Sequence, residues 1–383
     1  MADYRVELVP VPLGNMGRKV TLFDLADALG VSTGTVHRAL HGHRDVNPAT
    51  KTRVLQLAKS MGYRPNLAAR YLSLKRNYRI SVNTLKGTTS FWDQVRAGIE
   101  QEAKLIGLDS VELEFRTFPQ LAVGEREALE TALKSKADGI IAFPSHPQSL
   151  RAAMRRATKA NIPVVCVATD APDDGRLAVV SIDTVGSGAL AADLLGRMLG
   201  GKGKVATTLS DPRITEHAEK CKAFEGTLRE FYPAIELAAQ IEDHDVETEA
   251  YEKCRALFRE HPDLQGIYVT TEASIPVLEA ARDAGILQQL TIIATDLFPA
   301  LVEHIRSGAV LATIYQRPLM QGRMAFRVLH EYLVKGTCPS EQVTLAPHLV
   351  MRGNLEFFLR QAPDVAAEDG VPLAMSASGT GQD

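Results

Sequence analysis

Several short apolar runs in this 383-residue chain are followed by side chains that hydrogen-bond. They are Ser90-Phe91-Trp92-Asp93, Pro144-Ser145-His146, Thr169-Asp170, Asp183, Ser210-Asp211, Thr271-Glu272 and Asp296. Carboxylates and hydroxyls beside an aromatic pair suit a polyol: acceptors take its hydroxyl protons, and a ring face takes its C–H surface. Any one of these loops has a plainer explanation, since such loops are polar and Asp183 or Asp211 could simply cap a helix. It is the whole set that points to a binding cleft.

Covalent chemistry has no comparable support. Gly196 to Gly203, GRMLGGKG, approaches a phosphate-binding loop but lacks Ser or Thr after its lysine. No G-x-S-x-G or H-E-x-x-H occurs, and the histidines stand singly. The four cysteines, Cys166, Cys221, Cys254 and Cys338, form no C-x-x-C, which argues for reduced, mostly buried thiols. The expectation is a protein without catalytic residues, metal or cofactor.

The elements that must position the set alternate. Apolar runs at Ile80 to Asn83, Gly139 to Phe143, Pro163 to Val167, Val179 to Ile182, Lys204 to Leu209, Gly266 to Thr270 and Thr291 to Ala294 read as strands. Between them lie helical patterns such as Trp92 to Leu105 and Gly188 to Leu199. This alternation predicts an α/β body of parallel sheets with helices on both faces, whose ligands bind at the carboxyl ends of the strands.

A basic head precedes that body. The chain carries a net charge of -3, yet residues 1 to 78 hold 12 Lys and Arg against five Asp and Glu, so only this part suits a polyanion. Its length predicts two or three domains. With 45% hydrophobic and 23% charged residues the composition is globular, and no apolar stretch approaches the ~18 residues of a membrane span. The first 20 residues lack the apolar core of a secretory signal, so a cytoplasmic location is expected.

Within the head, Leu22, Leu25, Ala26 and Leu29 repeat at helical spacing behind a Thr21 cap, and Gly30 supplies a left-handed stop. Val31 plugs the turn, and Ser32 caps a second helix running to about Leu40. Two helices joined by so short a turn form a helix-turn-helix. Val36 and Leu40 face inward, which leaves Thr33, Gly34, His37 and Arg38 outward, where side chains can reach base edges. Asn47-Pro48 opens a third helix, with Val54, Leu57, Ala58 and Met61 as its buried stripe. Gly62 to Asn66 breaks it, and Leu67 to Leu72 is long enough for one or two helical turns, marginal in isolation.

TLFDLADALGVSTGTVHRAL, then Val46, Thr50, Arg53 and Val54, then GYRPNLAARYL together resemble the DNA-binding head of the LacI/GalR family of transcriptional regulators. The resemblance implies that Thr33 and Gly34 read bases, that Arg38 meets phosphate or a base, and that Ser32 and Thr35 hold backbone phosphate. It places Asn66 and Ala69 at a hinge and Leu72 as a wedge in the minor groove, where unstacking costs a few kcal/mol. Thr21, His37, Asn47 and Tyr63 complete the expected DNA-facing set. His37 stands where the family usually has serine, and His41 where it often has asparagine.

SFWDQVRAGIEQEA, DGIIAFP, NIPVVCVATD, VVSIDTVGSGALAADLL and IIATDLFPALVEHIRSG with ATIYQRP resemble the family's periplasmic-binding-protein-like sugar domain. That likeness implies Phe91 and Trp92 against a ligand ring, Asp170 and Asp296 on hydroxyls, and Gln316 at the crossover between two lobes. Lys220 stands where the family commonly has arginine, and Thr271-Glu272 replaces a common Asn-Asp, changes that alter charge geometry. With Ser145 these form the expected ligand set.

The expected organisation is a tail over 1–18, the helix-turn-helix over 19–64, a hinge and linker over 65–78, a two-lobed body over 79–360 and a disordered end over 361–383. The resemblance implies a homodimer on an inverted-repeat DNA operator, with a tetramer left open, acting as a repressor. A small effector, a carbohydrate by this likeness, would close the lobes and shift the hinges between order and disorder. A transport receptor is the alternative for the body alone, and the head and the missing secretory signal argue against it.

Overall fold

In the computed structural model of the chain, the residues described are 22–40, 46–61, 77–86, 90–106 and 111–361. The chain divides between Arg76 and Asn77 into two compact units. The expectations for Thr21, His41, Tyr63, Asn66, Ala69, Leu72 and the two tails lie outside the described residues, as does the His37 side chain.

The first unit contains α1 (Leu22–Leu29), α2 (Thr33–Leu40) and α3 (Pro48–Ser60). Gly30 has φ +67°, the left-handed geometry that ends α1 without a Cβ clash. The Ser32 hydroxyl accepts from the Thr35 amide at 3.1 Å, and Asn47 Oδ1 accepts from the Ala49 amide at 2.9 Å, so both expected caps form. Leu25, Val36, Ala39 and Val54 are fully buried between the three helices. Gly34 and Arg38 are left exposed, and Thr33 half-buried.

The second unit consists of two six-stranded sheets. In order along the chain come β1 (Tyr78–Leu85), α4 (Ser90–Ile106), β2 (Val111–Phe118), α5 (Glu125–Lys134), β3 (Gly139–Ala142), α6 (Pro147–Lys159), β4 (Val164–Val167) and β5 (Ala178–Ile182). The chain then crosses to the second lobe with α7 (Thr184–Met198), β6 (Lys202–Leu209), α8 (Thr215–Phe231), β7 (Ala234–Glu242), α9 (Glu247–Glu260) and β8 (Gly266–Val269). That lobe continues with α10 (Ser274–Asp283), β9 (Thr291–Thr295), α11 (Pro299–Ser307) and β10 (Ala312–Tyr315). A second crossing leads to α12 (Pro318–Lys335) and β11 (Gln342–Leu345) in the first lobe, and a third to β12 (His348–Val350) and α13 (Leu355–Gln361).

The sheet orders are β11-β5-β4-β3-β1-β2 and β12-β10-β9-β8-β6-β7. All pairings between these strands are parallel, as expected, except β12 on β10, which is antiparallel. The reason is the direction of travel: β11 runs toward the lobe interface, so its continuation runs away from that interface, opposite to its new neighbours.

Alternation along the strands fills two cores per sheet. Ile141, Val165, Val167 and Val180 join α4 and α12 on one face of the first sheet. Their sequence neighbours Ile140, Val164, Cys166 and Val179 join α5 and α6 on the other. In the second lobe Ile267, Val269 and Ile292 face α9 to α11, while Tyr268, Ile293 and Ile314 face α7 and α8. Helices therefore cover both faces of each sheet, as expected.

The contact between α4 and α12 requires glycine on both helices. A Cβ on Gly98 of α4 would run into the Leu319 carbonyl oxygen of α12, and one on Gly322 of α12 into that of Val95. Gly226 of α8, by contrast, has nothing within 4 Å of the place a Cβ would take. Gly322→Ala should therefore lower the stability of the body by about 1–3 kcal/mol through overpacking. Gly226→Ala should raise it by about 0.5–1 kcal/mol through helix propensity alone. Urea midpoints of the two variants test the contrast, and equal shifts would contradict it.

Candidate functional site

The strand ends of the two sheets face each other across a cleft. On the second lobe's side lies a fully buried ammonium. Lys220 of α8 ion-pairs with Glu216 one helical turn earlier and donates to Gln316 Oε1 at 2.8 Å and to the Thr270 carbonyl oxygen at 3.3 Å. Two hydrogen bonds and one ion pair thus hold the ammonium, and none of it reaches solvent.

Gln316 passes the constraint on. Lysine only donates and a carboxylate only accepts, so the amide has one orientation: Oε1 to Lys220, and Nε2 to Asp296 Oδ2 at 2.6 Å. The Gln316 backbone amide donates to Asp296 Oδ1 at 3.0 Å, and Gln321 Nε2 donates to the Gln316 carbonyl at 2.8 Å. Asp296 holds φ +66° just beyond β9. Burial pushes its carboxyl pKa above the usual range, against the pull of Gln316 and Lys220. Gln316 lies at the second crossing between lobes, as expected, and couples the cleft floor to that hinge.

Several bonds tie one lobe to the other. Ser90 Oγ donates to Glu272 at 3.1 Å, and Tyr315 Oη donates to Gln94 Oε1 at 3.1 Å. Thr215 Oγ1 donates to the Asp170 carbonyl at 3.3 Å, and the Glu216 amide donates to Thr169 Oγ1 at 3.4 Å. His146 Nε2 lies 3.5 Å from Asp211 Oδ2. A cavity of about 290 Å³ opens beside these contacts, lined by Thr169, Asp170, Ser181, Thr184, Thr215 and Glu216 among others.

The expected ligand residues thus separate into groups. Lys220, Asp296 and Gln316 form one network, Glu272 bridges the lobes, and Asp170 lines the cavity. The Asp170 carboxylate is held by both arms of Arg176, with Nη2 at 2.8 Å from Oδ2. Ser145 is buried, and its hydroxyl donates to Glu125 at 2.6 Å. Thr271 Oγ1 accepts from the Ala273 amide at 3.3 Å, a local turn contact. Phe91 and Trp92 come to the strand ends, but both rings are enclosed by the first lobe's core, Trp92 packing 4.4 Å from Phe143. Asp183 caps α7 through the Gly186 amide at 2.7 Å, its plainer explanation.

Sequence reasoning missed Glu216, Glu125 and Arg176. Glu216 had a readable signal, its i,i+4 spacing from Lys220 on one helix. Glu125 had none: its carboxylate, distant in sequence, accepts from the Ser145 and His146 amides at 3.0 and 3.1 Å and so anchors that loop. Among the described residues no cluster of His, Cys, Asp or Glu could hold a metal, and no helix is long and apolar enough to cross a membrane.

Residues 21–66 match the model for bacterial regulatory proteins of the lacI family, and residues 80–337 that for a periplasmic binding protein domain. Catabolite control protein A of Priestia megaterium is 27% identical over 343 residues, 86% of this chain and 97% of that protein. The Staphylococcus epidermidis protein of that name is 26% identical over 344 residues, 88% and 99% of the two chains. Among solved structures, a glucose-galactose binding protein from Geobacillus stearothermophilus superposes with TM-score 0.68 at 26% identity, covering 73% of this chain and 99% of its own. A fructose-binding periplasmic domain of a hybrid two-component system superposes with TM-score 0.70 at 18% identity, covering 76% and 96%, a likeness of fold.

A helix-turn-helix ahead of a two-lobed binding body defines a DNA-binding transcriptional regulator under ligand control. The head is a domain of the lacI family of bacterial regulatory proteins, and the body, more than half of the chain, belongs to the periplasmic binding protein domain family.

Beyond β7 a second buried acid stands apart from any cation at bonding distance. Asp243 is fully buried, its Oδ1 accepts from the Asp245 amide at 3.0 Å, and Oδ2 has no partner. Burial, then the nearby Asp245 charge, pushes its pKa up to about 7. A carboxyl whose folded pKa is raised contributes stability below its unfolded pKa, near 4, and loses it as pH rises through 7. Asp243→Asn should flatten that decline, so that the variant exceeds the wild type at pH 8 by up to about 4 kcal/mol and not at pH 4. Denaturation midpoints at the two pH values check this, and a pH-independent difference would contradict it.

Proposed function

We propose that the protein is a cytoplasmic, homodimeric repressor that holds an inverted-repeat operator and is controlled by a carbohydrate bound between its lobes. The observation that carries this is the head itself. A capped recognition helix presents Gly34 and Arg38 to solvent, on a segment that holds most of the chain's excess positive charge. Its N-terminal end, with Ser32, Thr33 and Thr35, is the part that enters a major groove in helix-turn-helix proteins. Thr21, His37 and Asn47 complete the proposed DNA contacts of the head, with Tyr63, Asn66, Ala69 and Leu72 those of the segment after it.

The carbohydrate reading is supported by acceptor-rich strand ends and by the sugar-binding protein whose fold and sequence the body resembles. Asp170, Glu272, Asp296 and Gln316 are the proposed ligand contacts, and Ser145, Lys220, Thr271, Phe91 and Trp92 support them from within the lobes. Control follows from linkage. A ligand that prefers one lobe angle shifts the equilibrium by its differential affinity, and the three crossings transmit that angle toward the head. Binding without turnover is the proposed activity, for which no nucleophile and base need be paired.

Sequencing the genomic fragments retained by the purified full-length protein should yield one palindromic motif, and recovery of none would overturn the regulator reading. On that motif Arg38→Ala should weaken binding by about 1–3 kcal/mol, the worth of one good contact to a base edge. Leu72→Ala should reduce specific binding while nonspecific, salt-sensitive binding stays nearly unchanged. Equal loss of both would refute the wedge.

A further inference from the structure

The charges on the two sides of the cleft leave little room for an anionic ligand. Lys220 is the cation a sugar acid or sugar phosphate would seek, yet it is fully buried, ion-paired to Glu216 and hydrogen-bonded to Gln316 and the Thr270 carbonyl. Arg176 is bound by both arms to Asp170. Arg213 grips Asp211, with Nη2 at 2.6 Å from Oδ2 and Nε at 2.9 Å from Oδ1. Its own side chain is 65% exposed, but that of Asp211 is 3% exposed, so release would leave a buried carboxylate short of its cation.

Lys220, Arg176 and Arg213 are thus matched with Glu216, Asp170 and Asp211, and the carboxylate on the buried floor of the cleft is Asp296. It is buried and bonded to the Gln316 amide groups, which Lys220 holds in place. Its free lone pairs call for donors, and a second negative group beside it would meet repulsion in a low-dielectric floor.

We propose that the cleft selects an uncharged polyol and rejects its sugar-acid and sugar-phosphate counterparts, with Lys220 serving as an internal brace that orients Gln316 rather than as an anion-binding group. This rests on the carbohydrate reading above and narrows it to a charge class. Lys220 is in this sense a positioning residue: it acts on the ligand through Gln316 and Asp296.

Calorimetry on the full-length protein tests this with a panel of aldopentoses, aldohexoses, ketohexoses and inositols, each paired with its uronate or terminal phosphate. The tightest binder should be neutral, and its anionic partner weaker by about 30-fold or more, the consequence of unmatched like charge. Glu216→Gln frees the Lys220 charge and should move the ratio of anionic to neutral affinity upward by about tenfold or more. That ratio is a readout that a merely structural role for Lys220 would not move. A wild-type protein that prefers the anionic partner overturns the inference while leaving the carbohydrate reading intact. An unchanged ratio in folded Glu216→Gln overturns the brace. Should the variant not fold, the wild-type comparison decides alone. Binding of no panel member overturns the carbohydrate reading, and this inference with it.

Discussion

A buried ammonium must be neutralised where it stands, and much of the body's polar architecture is arranged around that need. Leaving the Lys220 charge unpaired in the interior would cost several kcal/mol. Glu216 meets it from the same helix, and Gln316 and Thr270 supply the remaining acceptors from two other elements. Because Gln316 is pinned at one end by a pure donor and at the other by a pure acceptor, its rotamer and amide orientation follow without freedom. Asp296 is bound in turn by the Gln316 backbone and side chain, so the lobe crossing after β10 is attached to the floor of the cleft.

That attachment gives a physical route from ligand to lobe angle. A molecule that competes for Asp296 or Gln316 acts on groups belonging to the crossing itself, while Ser90–Glu272 and Tyr315–Gln94 register the angle between the lobes. Single, partly buried hydrogen bonds of this kind are individually weak, which suits an equilibrium that must be reversible. Within the first lobe, α4 and α12 approach so closely at Gly98 and Gly322 that a Cβ at either position would strike the facing helix's backbone.

Legibility in the sequence followed burial. The seven strands that were read from apolar runs are central in their sheets, where most side chains are hydrophobic. The edge strands β2 and β7 escaped, for their residues alternate with Glu112, Glu114, Arg116, Glu236 and Gln240 and resemble loop or helix text. β10, β11 and β12 are three or four residues long and interrupted by Thr313, Gln342, Thr344 and His348, so neither an apolar run nor a period declares itself. Caps were readable in the head because Ser32 and Asn47 act on amides two or three residues away. Glu125 was not, since it serves amides about 20 residues distant.

Local chemistry is what the sequence determined by itself: the turn at Gly30, the capped recognition helix, the alternation of strands and helices, and the basic head on an acidic body. Each depends on neighbours within one or two turns of chain or on summed charge. Tertiary structure alone decided which polar residues meet. It enclosed Phe91 and Trp92 in a core, gave Asp170 to Arg176, and turned Lys220 from a candidate ligand group into a brace. The reason is that a side chain's donors are spent on whichever acceptors the fold brings within 3 Å, and those acceptors come from α8, β8 and the β10–α12 crossing, segments about 50 and about 100 residues away in sequence for the latter two.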